Sequence, residues 1–360
     1  MAELQHTPRV VLVTGAAGFI GCNAVRHLLA ADAALRVVSL DLLTYAGSRA
    51  NLTDVERDHP DRHRFVRADI RDAAAMERLF AEEPIDTILH LAAESHVDRS
   101  ISDPAAFLET NVMGTYVLLE AARKAWAERD DVRFHHVSTD EVFGSLGAEG
   151  RFTEATPYNP SSPYSASKAA SDHLVRAWNR TYGLPATLSN CSNNFGPFQF
   201  PEKLLPLMIC RALAGEPLPV YGDGRNVRDW LYVADHCSAL WRIVCHGVDG
   251  RTYNVGAENE WTNIDLVRQV CKLLDELRPK PTRSYADQIS FVTDRPGHDR
   301  RYAIDPKRLR DELGWHSPVP FRQRLRDTIE WYIGNAKWVK AIQSERYDGR
   351  RLGLPGGQKP

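Results

Sequence analysis

Short β-branched runs alternate with longer amphipathic stretches through the first half of the chain. Runs of Val, Ile and Leu are typical of strands, whereas apolar residues at helical spacing are typical of helices. This pattern predicts strands at Arg9–Val13, Leu35–Leu40, Arg64–Ala68, Ile85–Leu91, Val132–Ser138 and Ala186–Asn190. It predicts helices at Phe19–Ala31, Ala73–Ala81, Pro104–Trp126 and Tyr164–Tyr182. The alternation indicates an α/β fold with a doubly wound, mainly parallel sheet that is covered by helices on both faces.

The alternation breaks after about residue 190, where Pro and Gly cluster between Pro197 and Gly224. Such punctuation indicates loops around a binding site. Helical patterns resume at Val233–Cys245 and Asn263–Leu277. The expected organisation is a main domain at 1–190, to which part of 228–257 returns, a smaller C-terminal α/β lobe at 191–340 and a tail at 341–360.

Composition and charge exclude several classes of function. The 360 residues carry a net charge of −2, which gives no electrostatic footprint for nucleic acid or an anionic membrane. Apolar runs are too short for a transmembrane helix or a signal peptide. The six cysteines form no CxxC and the thirteen histidines no HExxH, so no metal site is predicted. We therefore expect reduced thiols in a cytoplasmic protein.

Three glycines stand between the first predicted strand and the first predicted helix. Gly15, Gly18 and Gly21 form a GxxGxxG pattern there, which permits a tight turn and close approach of the backbone to a pyrophosphate. The helix N-terminus then faces the anion with free N–H groups. Asp41 ends the second strand, where a carboxylate binds a ribose 2′-hydroxyl and repels a 2′-phosphate, and Asp69 ends the third. The context predicts a Rossmann-type site for NAD.

A tyrosine and a lysine share one face of the helix that begins near residue 164. Tyr164 and Lys168 are four positions apart. A tyrosine titrates near ~10, too high for a base at neutral pH. The neighbouring ammonium and a cationic nicotinamide are expected to lower the pKa of Tyr164. By itself, YxxxK also fits a solvated helical pair.

Two adjacent acids follow the fifth predicted strand, after Thr139. Asp140 and Glu141 stand where ligands bind in open α/β sheets. Two carboxyl groups with separated pKa values can serve as one acid and one base. Neighbours in a strand point to opposite faces, so the two must lie in a turn to converge. The alternative is a capping Asp beside a solvated Glu.

The motifs together resemble those of the extended short-chain dehydrogenase/reductase family and, within it, the 4,6-dehydratases that act on dTDP-glucose. The segments that carry the resemblance are TGAAGFIG (14–21), DLLTYAG (41–47), LAAESHVDRSI (91–101), NVMGT (111–115), VSTDEVFG (137–144), PYSASKAASDHLVRAW (163–178), NCSNNFGPFQFPEKLLPL (190–207), VYGDGRNVRDWLYVADH (220–236) and DRPGHDRRYAID (294–305).

The resemblance implies an NAD-dependent hydro-lyase of deoxysugar biosynthesis, such as that of dTDP-rhamnose. Tyr164 would take the proton of the glucose 4-hydroxyl while hydride passes from C4 to bound NAD. Glu141 would remove the C5 proton, Asp140 would protonate the departing 6-hydroxyl, and the hydride would return to C6. Thr139 would orient the 4-hydroxyl, and Lys168 would hold the nicotinamide ribose.

The resemblance also implies the residues that contact each ligand. Those implied for NAD, besides the glycines, are Phe19, Ile20, Asp41, Thr44, Asp69, Ile70, Ala93, Thr110, Tyr164, Lys168 and Asn194. Those implied for dTDP-glucose are Ser95, Thr139, Asn193, Lys203, Leu204, Pro219, Tyr221, Arg228, Asn263, Arg295 and His298. Lys203, Arg228 and Arg295 are cations suited to a diphosphate.

Two other functions share much of this pattern. A nucleotide-sugar epimerase would need the glycines and YxxxK but not Asp140 and Glu141 together. An NAD-sensing protein would typically lack Tyr164 or Lys168. The fold alone does not decide between them. The resemblance further implies a homodimer through a four-helix interface of helices 104–126 and 163–182, where Ala169, Ala170 and Ala177 would permit close packing.

Overall fold

The computed structural model of the chain describes residues 2–294 and 299–346. Over these ranges the strands are β1 Val10–Thr14, β2 Arg36–Asp41, β3 His63–Arg67, β4 Thr87–His90, β5 Arg133–Thr139, β6 Ala186–Cys191, β7 Asn193–Phe195, β8 Leu218–Tyr221, β9 Val227–Tyr232, β10 Thr252–Val255, β11 Glu260–Thr262 and β12 Ile289–Val292.

The helices lie between these strands and after the last of them. They are α1 Phe19–Ala31, α2 Thr53–Asp58, α3 Ala73–Glu82, α4 Val97–Ser102, α5 Pro104–Phe107, α6 Thr115–Ala125, α7 Pro163–Tyr182, α8 Leu204–Ala214, α9 Val233–His246, α10 Asn263–Leu277, α11 Lys307–Leu313, α12 Phe321–Gly334 and α13 Ala336–Arg346.

The main sheet has seven parallel strands in the described part of the chain, in the order β10-β6-β5-β4-β1-β2-β3. This confirms the doubly wound, Rossmann-type α/β fold. After β3 the chain crosses over to β4 on the other side of β1, so the strand order reverses between β1 and β4. Ligands bind in the crevice at such a switch point.

Both faces of the main sheet are buried, because its strands carry apolar side chains in succession. Leu12, Ile88 and Phe134 pack with α3 and α6 on one face. Val11 and Val13 pack with α1 and α9 on the other. Neighbouring residues of one strand thus supply different cores, which fixes the register of the sheet.

The second lobe contains a small sheet in the order β11-β9-β7 and the parallel pair β12-β8, as far as the structure describes it. Its core lies between α8, α10 and α12. After β9 the chain returns to the main domain. There α9 packs on α1, and β10 pairs with β6, with Asn254 opposite Asn190.

The predicted helix Pro104–Trp126 is wrong as one continuous element. The segment Leu108–Gly114 between α5 and α6 is a π-helix. Asn111 in this segment binds neighbouring parts of the chain: its amide oxygen accepts from the Glu94 N–H at 2.8 Å, and its amide nitrogen donates to the Ser167 hydroxyl at 2.9 Å. These contacts favour the wider turn of a π-helix over that of an α-helix. The spacing of apolar residues along the sequence gives no sign of such contacts.

No helix among the described residues is long and apolar enough to cross a membrane. Within 2–294 and 299–346, no group of His, Cys, Asp or Glu side chains is arranged to hold a metal ion. The six cysteines are all free, and Cys210 is the least buried of them.

Candidate active site

A cleft of about 290 Å³ opens at the carboxyl ends of β1, β4, β5 and β6, beside the switch point. Many of the residues expected from the sequence line it. They are Gly15, Gly18, Phe19, Ile20, Gly21, Thr44, Ala93, Ser95, Thr139, Asp140, Glu141, Tyr164, Lys168, Asn193, Asn194 and Lys203.

The glycine turn forms the floor of the cleft between β1 and α1. Gly15 has φ +69°, and a Cβ at Gly21 would lie 2.1 Å from the Gly15 carbonyl oxygen. Any side chain at these positions would therefore force the turn apart. Helix α1 begins at Phe19 with no side-chain cap from Gly18 and no acid in its first turn. The turn leaves α1 N–H groups for an anion, as a pyrophosphate requires.

Asp41 is fixed beside this turn at the end of β2. Its carboxylate accepts hydrogen bonds from the Ala17 N–H at 2.9 Å and the Leu43 N–H at 2.7 Å. A Cβ at Gly47 would lie 2.6 Å from the same carboxylate. The negative charge is thus held next to the glycine turn, and its contact with a ribose hydroxyl stays a prediction.

Three residues that the resemblance implies for NAD lie outside the lining of the cleft. The Asp69 carboxylate pairs with the Arg71 guanidinium at 2.7 Å. Burial raises the pKa of Asp69, but the hydrogen bonds and charge of Arg71 together outweigh burial, so the pKa lies below its ordinary value. Ile70 packs against Gly114. Thr110 is part of the π-helix. Their roles toward NAD stay predictions.

The acid pair lies in a turn directly after β5, as the sequence predicts. Asp140–Phe143 is a 3₁₀ turn, and the Thr139 hydroxyl caps it by accepting from the Glu141 N–H at 3.3 Å. Asp140 is 2% exposed, and its Oδ2 has no hydrogen-bond partner among the described residues. Burial and the negative charge of Glu141 raise the pKa of Asp140 well above its ordinary value. Asp140 therefore keeps a proton that it can give.

Tyr164 enters the cleft from the first turn of α7. Ser162 and Ser165 form a capping box at the start of this helix, which fixes where the tyrosine points. Burial and the charge of Glu141 raise the pKa of Tyr164 well above its ordinary value, and a hydrogen bond with Thr139 partly opposes this. Desolvation of the phenolate dominates in the protein alone, and the lowering expected from Lys168 together with a cationic nicotinamide stays a prediction.

Lys168 lies one helical turn deeper and is 4% exposed. Its ammonium group donates to the Val137 carbonyl at 2.9 Å and lies 3.4 Å from Nε2 of His136. Burial lowers the pKa of Lys168, and the negative charge of Asp172 opposes this. Burial and the charge of Lys168 hold the pKa of His136 well below its ordinary value, so this histidine is neutral.

A buried polar network lies behind Lys168, and the sequence analysis did not predict it. Asp172 is fully buried 3.2 Å from His136, and it accepts from the hydroxyls of Ser138 and Tyr158 at 2.8 Å each. Arg176 donates to the Tyr158 hydroxyl at 2.7 Å. The available signal was spacing: Asp172 is four residues after Lys168 on the face of α7 that carries Tyr164.

Comparison with known proteins places this site in a family. A model of the family described as GDP-mannose 4,6 dehydratase matches residues 12–328. The dTDP-glucose 4,6-dehydratase 1 of Escherichia coli K12 is 55% identical over 351 residues, which cover 94% of this chain and 96% of that protein. The chain belongs to the nucleotide-sugar 4,6-dehydratase family.

Solved structures agree with this membership. The dTDP-glucose 4,6-dehydratase DesIV from Streptomyces venezuelae, solved with NAD and TYD bound, is 45% identical with a TM-score of 0.84, covering 92% of this chain and 99% of DesIV. A UDP-glucose 4-epimerase from Thermus thermophilus in complex with NAD is 31% identical with a TM-score of 0.79, covering 91% of this chain and 99% of the epimerase. The fold is therefore shared with epimerases, and the site residues make the distinction.

The site residues fit NAD, the cofactor of this family member. The glycine turn leaves no room for a Cβ at Gly21 and supplies an uncapped helix terminus for the pyrophosphate. Asp41 offers a carboxylate at the end of the neighbouring strand. The buried ammonium of Lys168 and the hydroxyl of Tyr164 line the opposite part of the cleft.

The cleft has further polar residues that the sequence analysis did not single out. Tyr45 and Glu202 line it. The Arg99 guanidinium lies 3.8 Å above the Tyr45 ring, and His96 lies 3.4 Å from Glu202. These residues lie within or beside quoted segments, but no pattern distinguished them from structural positions.

The expected substrate residues are only partly gathered at the cleft. Lys203 lines it, and its ammonium group donates to the Ser95 carbonyl at 3.3 Å. Arg228 is buried outside the lining; it donates to the carbonyls of Val227 and Asp299 and stacks on Tyr302.

The other expected substrate residues outside the lining are Leu204, which begins α8, Pro219 and Tyr221 in β8, and Asn263, which begins α10. Arg295 and His298 lie outside the described residues. The roles of this set toward dTDP-glucose stay predictions.

Proposed function

We propose that this enzyme converts dTDP-glucose into dTDP-4-keto-6-deoxyglucose and water, as an NAD-dependent hydro-lyase of deoxysugar biosynthesis. The observation that carries the proposal is the juxtaposition in one cleft of Glu141, Tyr164 and a buried Asp140 whose pKa is raised well above its ordinary value. An oxidation at C4 needs Tyr164 and Lys168, whereas loss of the 6-hydroxyl needs an acid and a base as well. An epimerase has no step for that pair.

Each residue has one proton task in this reaction. Tyr164 removes the proton from the 4-hydroxyl, and Thr139 orients that hydroxyl. The 4-ketone acidifies C5, from which Glu141 takes a proton. Asp140 protonates the 6-hydroxyl so that it leaves as water, and Glu141 then returns its proton to C5. NAD, when bound, supplies a reversible acceptor for the hydride that moves from C4 to C6.

The phenolate form of Tyr164 needs positive charge close by, because burial opposes it. The oxidised nicotinamide carries such a charge, and the buried ammonium of Lys168 adds another below it. Lys168 is held in place by the Val137 carbonyl, and Asp172 supplies a counter-charge. The same ammonium is suited to hold the nicotinamide ribose.

The sugar nucleotide is proposed to extend from the acid pair toward the second lobe. Lys203 at the cleft and Arg228 outside its lining, together with Arg295 and His298, would meet the diphosphate. Tyr221 would stack on the thymine base. Ser95 and Asn193 line the cleft on the way.

The enzyme is proposed to act as a homodimer. Leu108, Met113 and Tyr116 on the π-helix and α6, and Tyr182 at the end of α7, are exposed apolar side chains. A second copy packing helix against helix would bury them. Of the alanines expected there, Ala169 packs instead on Val142 and Phe143 inside its own chain, because it is on the inner face of α7.

Sedimentation of the purified enzyme at micromolar concentration tests the dimer, and Met113→Glu is expected to give a monomer. A monomeric wild type would contradict it. We also propose a cytoplasmic location, where the free cysteines stay reduced.

Mass spectrometry of dTDP-glucose after incubation with the enzyme and no reductant tests the reaction. The expected product has lost one water, with no net consumption of NAD. A changed sugar configuration at unchanged mass would indicate an epimerase. An unchanged dTDP-glucose would contradict this substrate, and UDP-, CDP- and GDP-sugars would be tested next.

A further inference from the structure

The proposed reaction leaves one proton on the wrong residue at the end of each turnover, and this inference rests on that reaction. Tyr164 gains the proton of the 4-hydroxyl. Asp140 loses the proton that leaves in water. Glu141 takes a proton from C5 and returns it, and the hydride taken from C4 is placed on C6. The sugar is finished, but Tyr164 holds one proton too many and Asp140 one too few.

The enzyme must therefore move a proton from Tyr164 to Asp140 before it can act again. Both residues are nearly closed to solvent: Tyr164 is 9% exposed and Asp140 is 2% exposed. A sugar nucleotide in the cleft would cover them further. An exchange with bulk water would then have to wait until the product has left.

One hydroxyl group connects the two residues. Thr139 Oγ1 donates to Asp140 Oδ1 at 3.4 Å, and the same hydroxyl is hydrogen-bonded with the hydroxyl of Tyr164. A threonine oxygen can accept one proton while it donates another. The order of the groups is thus tyrosine, threonine, aspartate, and the Thr139 hydroxyl already donates to Asp140, the residue that must gain a proton.

The surroundings hold Thr139 in this position. Its carbonyl accepts from the Asn190 side chain at 3.2 Å, and its hydroxyl accepts from the Glu141 N–H at 3.3 Å. Thr139 is itself 8% exposed and ends β5, the strand that carries the acid pair. The hydroxyl is therefore fixed by the backbone that places Asp140.

We propose that the Thr139 hydroxyl relays a proton from Tyr164 to Asp140 and so resets the enzyme after each turnover. The O–H bond of Tyr164 breaks as its proton binds Thr139 Oγ1, while the original proton of Thr139 moves to Asp140 Oδ1. Two O–H bonds break and two form. No electrons leave or enter the group, and the products are the Tyr164 phenolate and the Asp140 carboxylic acid.

Burial and the charge of Glu141 disfavour the charged form of both Tyr164 and Asp140, so this direction depends on the positive charge of the regenerated cofactor. Burial and the charge of Glu141 disfavour an ionised Asp140, so the carboxylate left by the loss of water is a strong proton acceptor. The single negative charge moves from Asp140 to Tyr164, beside the regenerated positive charge of the cofactor. Thr139 thus acts twice, first in orienting the substrate and then in restoring the enzyme.

The test compares the first turnover with the later ones in Thr139→Val, which keeps the shape of the side chain but removes the hydroxyl. Purified enzyme with NAD is equilibrated in buffer and mixed with dTDP-glucose, either at less than one equivalent or in excess. Rapid quenching and chromatography give the single-turnover and steady-state rates of product formation. Thr139→Ser keeps a hydroxyl and serves as the conservative variant.

We expect the single-turnover rate to exceed the steady-state rate by at least about tenfold in Thr139→Val, with an initial burst of one product per site, because acid–base steps typically contribute about 10²–10⁴-fold. Thr139→Ser should show no such separation. Formic acid in the buffer should raise the slow steady-state rate of the valine variant without changing its burst.

The proposal is overturned if both rates fall by the same factor in Thr139→Val, including a fall to zero, because Thr139 would then act only in the forward chemistry. Ser138→Ala is the matched control, since Ser138 is the adjacent buried hydroxyl and donates to Asp172 instead. Its two rates should fall together. A wild type that forms no dehydrated product contradicts the proposed function itself, whereas an active wild type without the separation contradicts the relay alone.

Discussion

Two buried aspartates belong to the site and the network behind it, and their surroundings differ. Each leaves one carboxylate oxygen without a hydrogen-bond partner in the described structure, but Asp140 has a second carboxylate, Glu141, beside it. Asp172 accepts from Ser138 and Tyr158 and lies behind the Lys168 ammonium. Burial raises the pKa of both, but the partners of Asp172 oppose the rise, whereas Glu141 adds to it at Asp140.

The comparison shows that partners rather than depth decide what a buried carboxyl group can do. A buried carboxyl beside a second carboxylate, where the charge of Arg228 is a smaller influence, favours its protonated form and can act as an acid. A carboxyl with hydroxyl donors and an ammonium beyond it serves as a fixed counter-charge. The same residue type thus supplies a proton at position 140 and a counter-charge to the Lys168 ammonium at position 172.

The largest expected effect is on the acid. Asp140→Asn keeps the shape but cannot give a proton, so kcat for product formation should fall by about 10³-fold. Oxidation at C4 should persist, because Tyr164 and Lys168 are unchanged. Stopped-flow absorbance should then show reduced nicotinamide accumulating on mixing with dTDP-glucose, without loss of water.

Asp130→Asn is the matched control for this change, because Asp130 is an exposed aspartate on the loop before β5. It should retain wild-type kcat. If Asp140→Asn abolishes nicotinamide reduction as well as dehydration, Asp140 would not be a dedicated acid for the second step.

A smaller effect is expected from the counter-charge. Asp172→Asn removes the negative charge that supports the Lys168 ammonium, so the pKa of Lys168 should fall further. Activity that needs the ammonium is then lost at a lower pH, and the alkaline limb of the kcat profile should move down. At a pH on that limb, each unit of movement costs about tenfold in rate.

Tyr158→Phe sharpens this measurement, because it removes a hydrogen bond to Asp172 but keeps the charge. Its alkaline limb should stay near that of wild type while kcat falls modestly. An Asp172→Asn enzyme with a uniformly lower kcat and an unmoved profile would show that Asp172 serves structure alone.

The smallest effect is on stability, and its sign differs between the two aspartates. An unfolded Asp140 ionises near its ordinary pKa of 3.8, whereas the folded one keeps its proton to much higher pH. As pH rises between those values, the free energy of the unfolded state therefore falls relative to that of the folded state, and Asp140 reduces the stability of the protein. Asp140→Asn should raise the Tm at pH 8 by about 2–4 °C, with the difference vanishing below pH 4.

Asp172→Asn should instead lower the Tm, because it leaves Lys168 buried without its counter-charge. Thermal unfolding of the NAD-free proteins at several pH values measures both differences. Equal shifts of one sign in the two variants would contradict the distinction between them.

The elements with strong local patterns were predictable from the sequence. Helix α1 begins and ends where the apolar spacing and the preceding glycines place it, and α10 likewise. The interruption at Leu108–Gly114 was not predictable, because Asn111 makes its contacts with Glu94 and Ser167, far away in the sequence. The three-residue strands β7 and β11 are too short to leave a periodic signal.

The site was predictable to the extent that its residues share motifs. Asp140, Glu141 and Tyr164 meet because strand ends and a helix start converge at the switch point. The pKa shifts in the site were not predictable in the same way. The pKa of Tyr164 depends on how deeply the side chain is buried, and burial is known only once the chain is folded. Asp172 was hidden for a similar reason, since its partners Ser138 and Tyr158 come from other elements.

The pairing of β10 with β6 also constrains how the protein is made. A ribosome must synthesise the chain through Val255 before the seventh strand can join the main sheet. Until then β6 is an open edge, with unpaired N–H and C=O groups that attract other strands. The nascent nucleotide-binding half therefore stays incomplete while the roughly sixty residues between β6 and β10, which include part of the other lobe and α9, are synthesised. A chain cut at residue 190 would keep that exposed edge permanently, and aggregation of such fragments is the expected consequence.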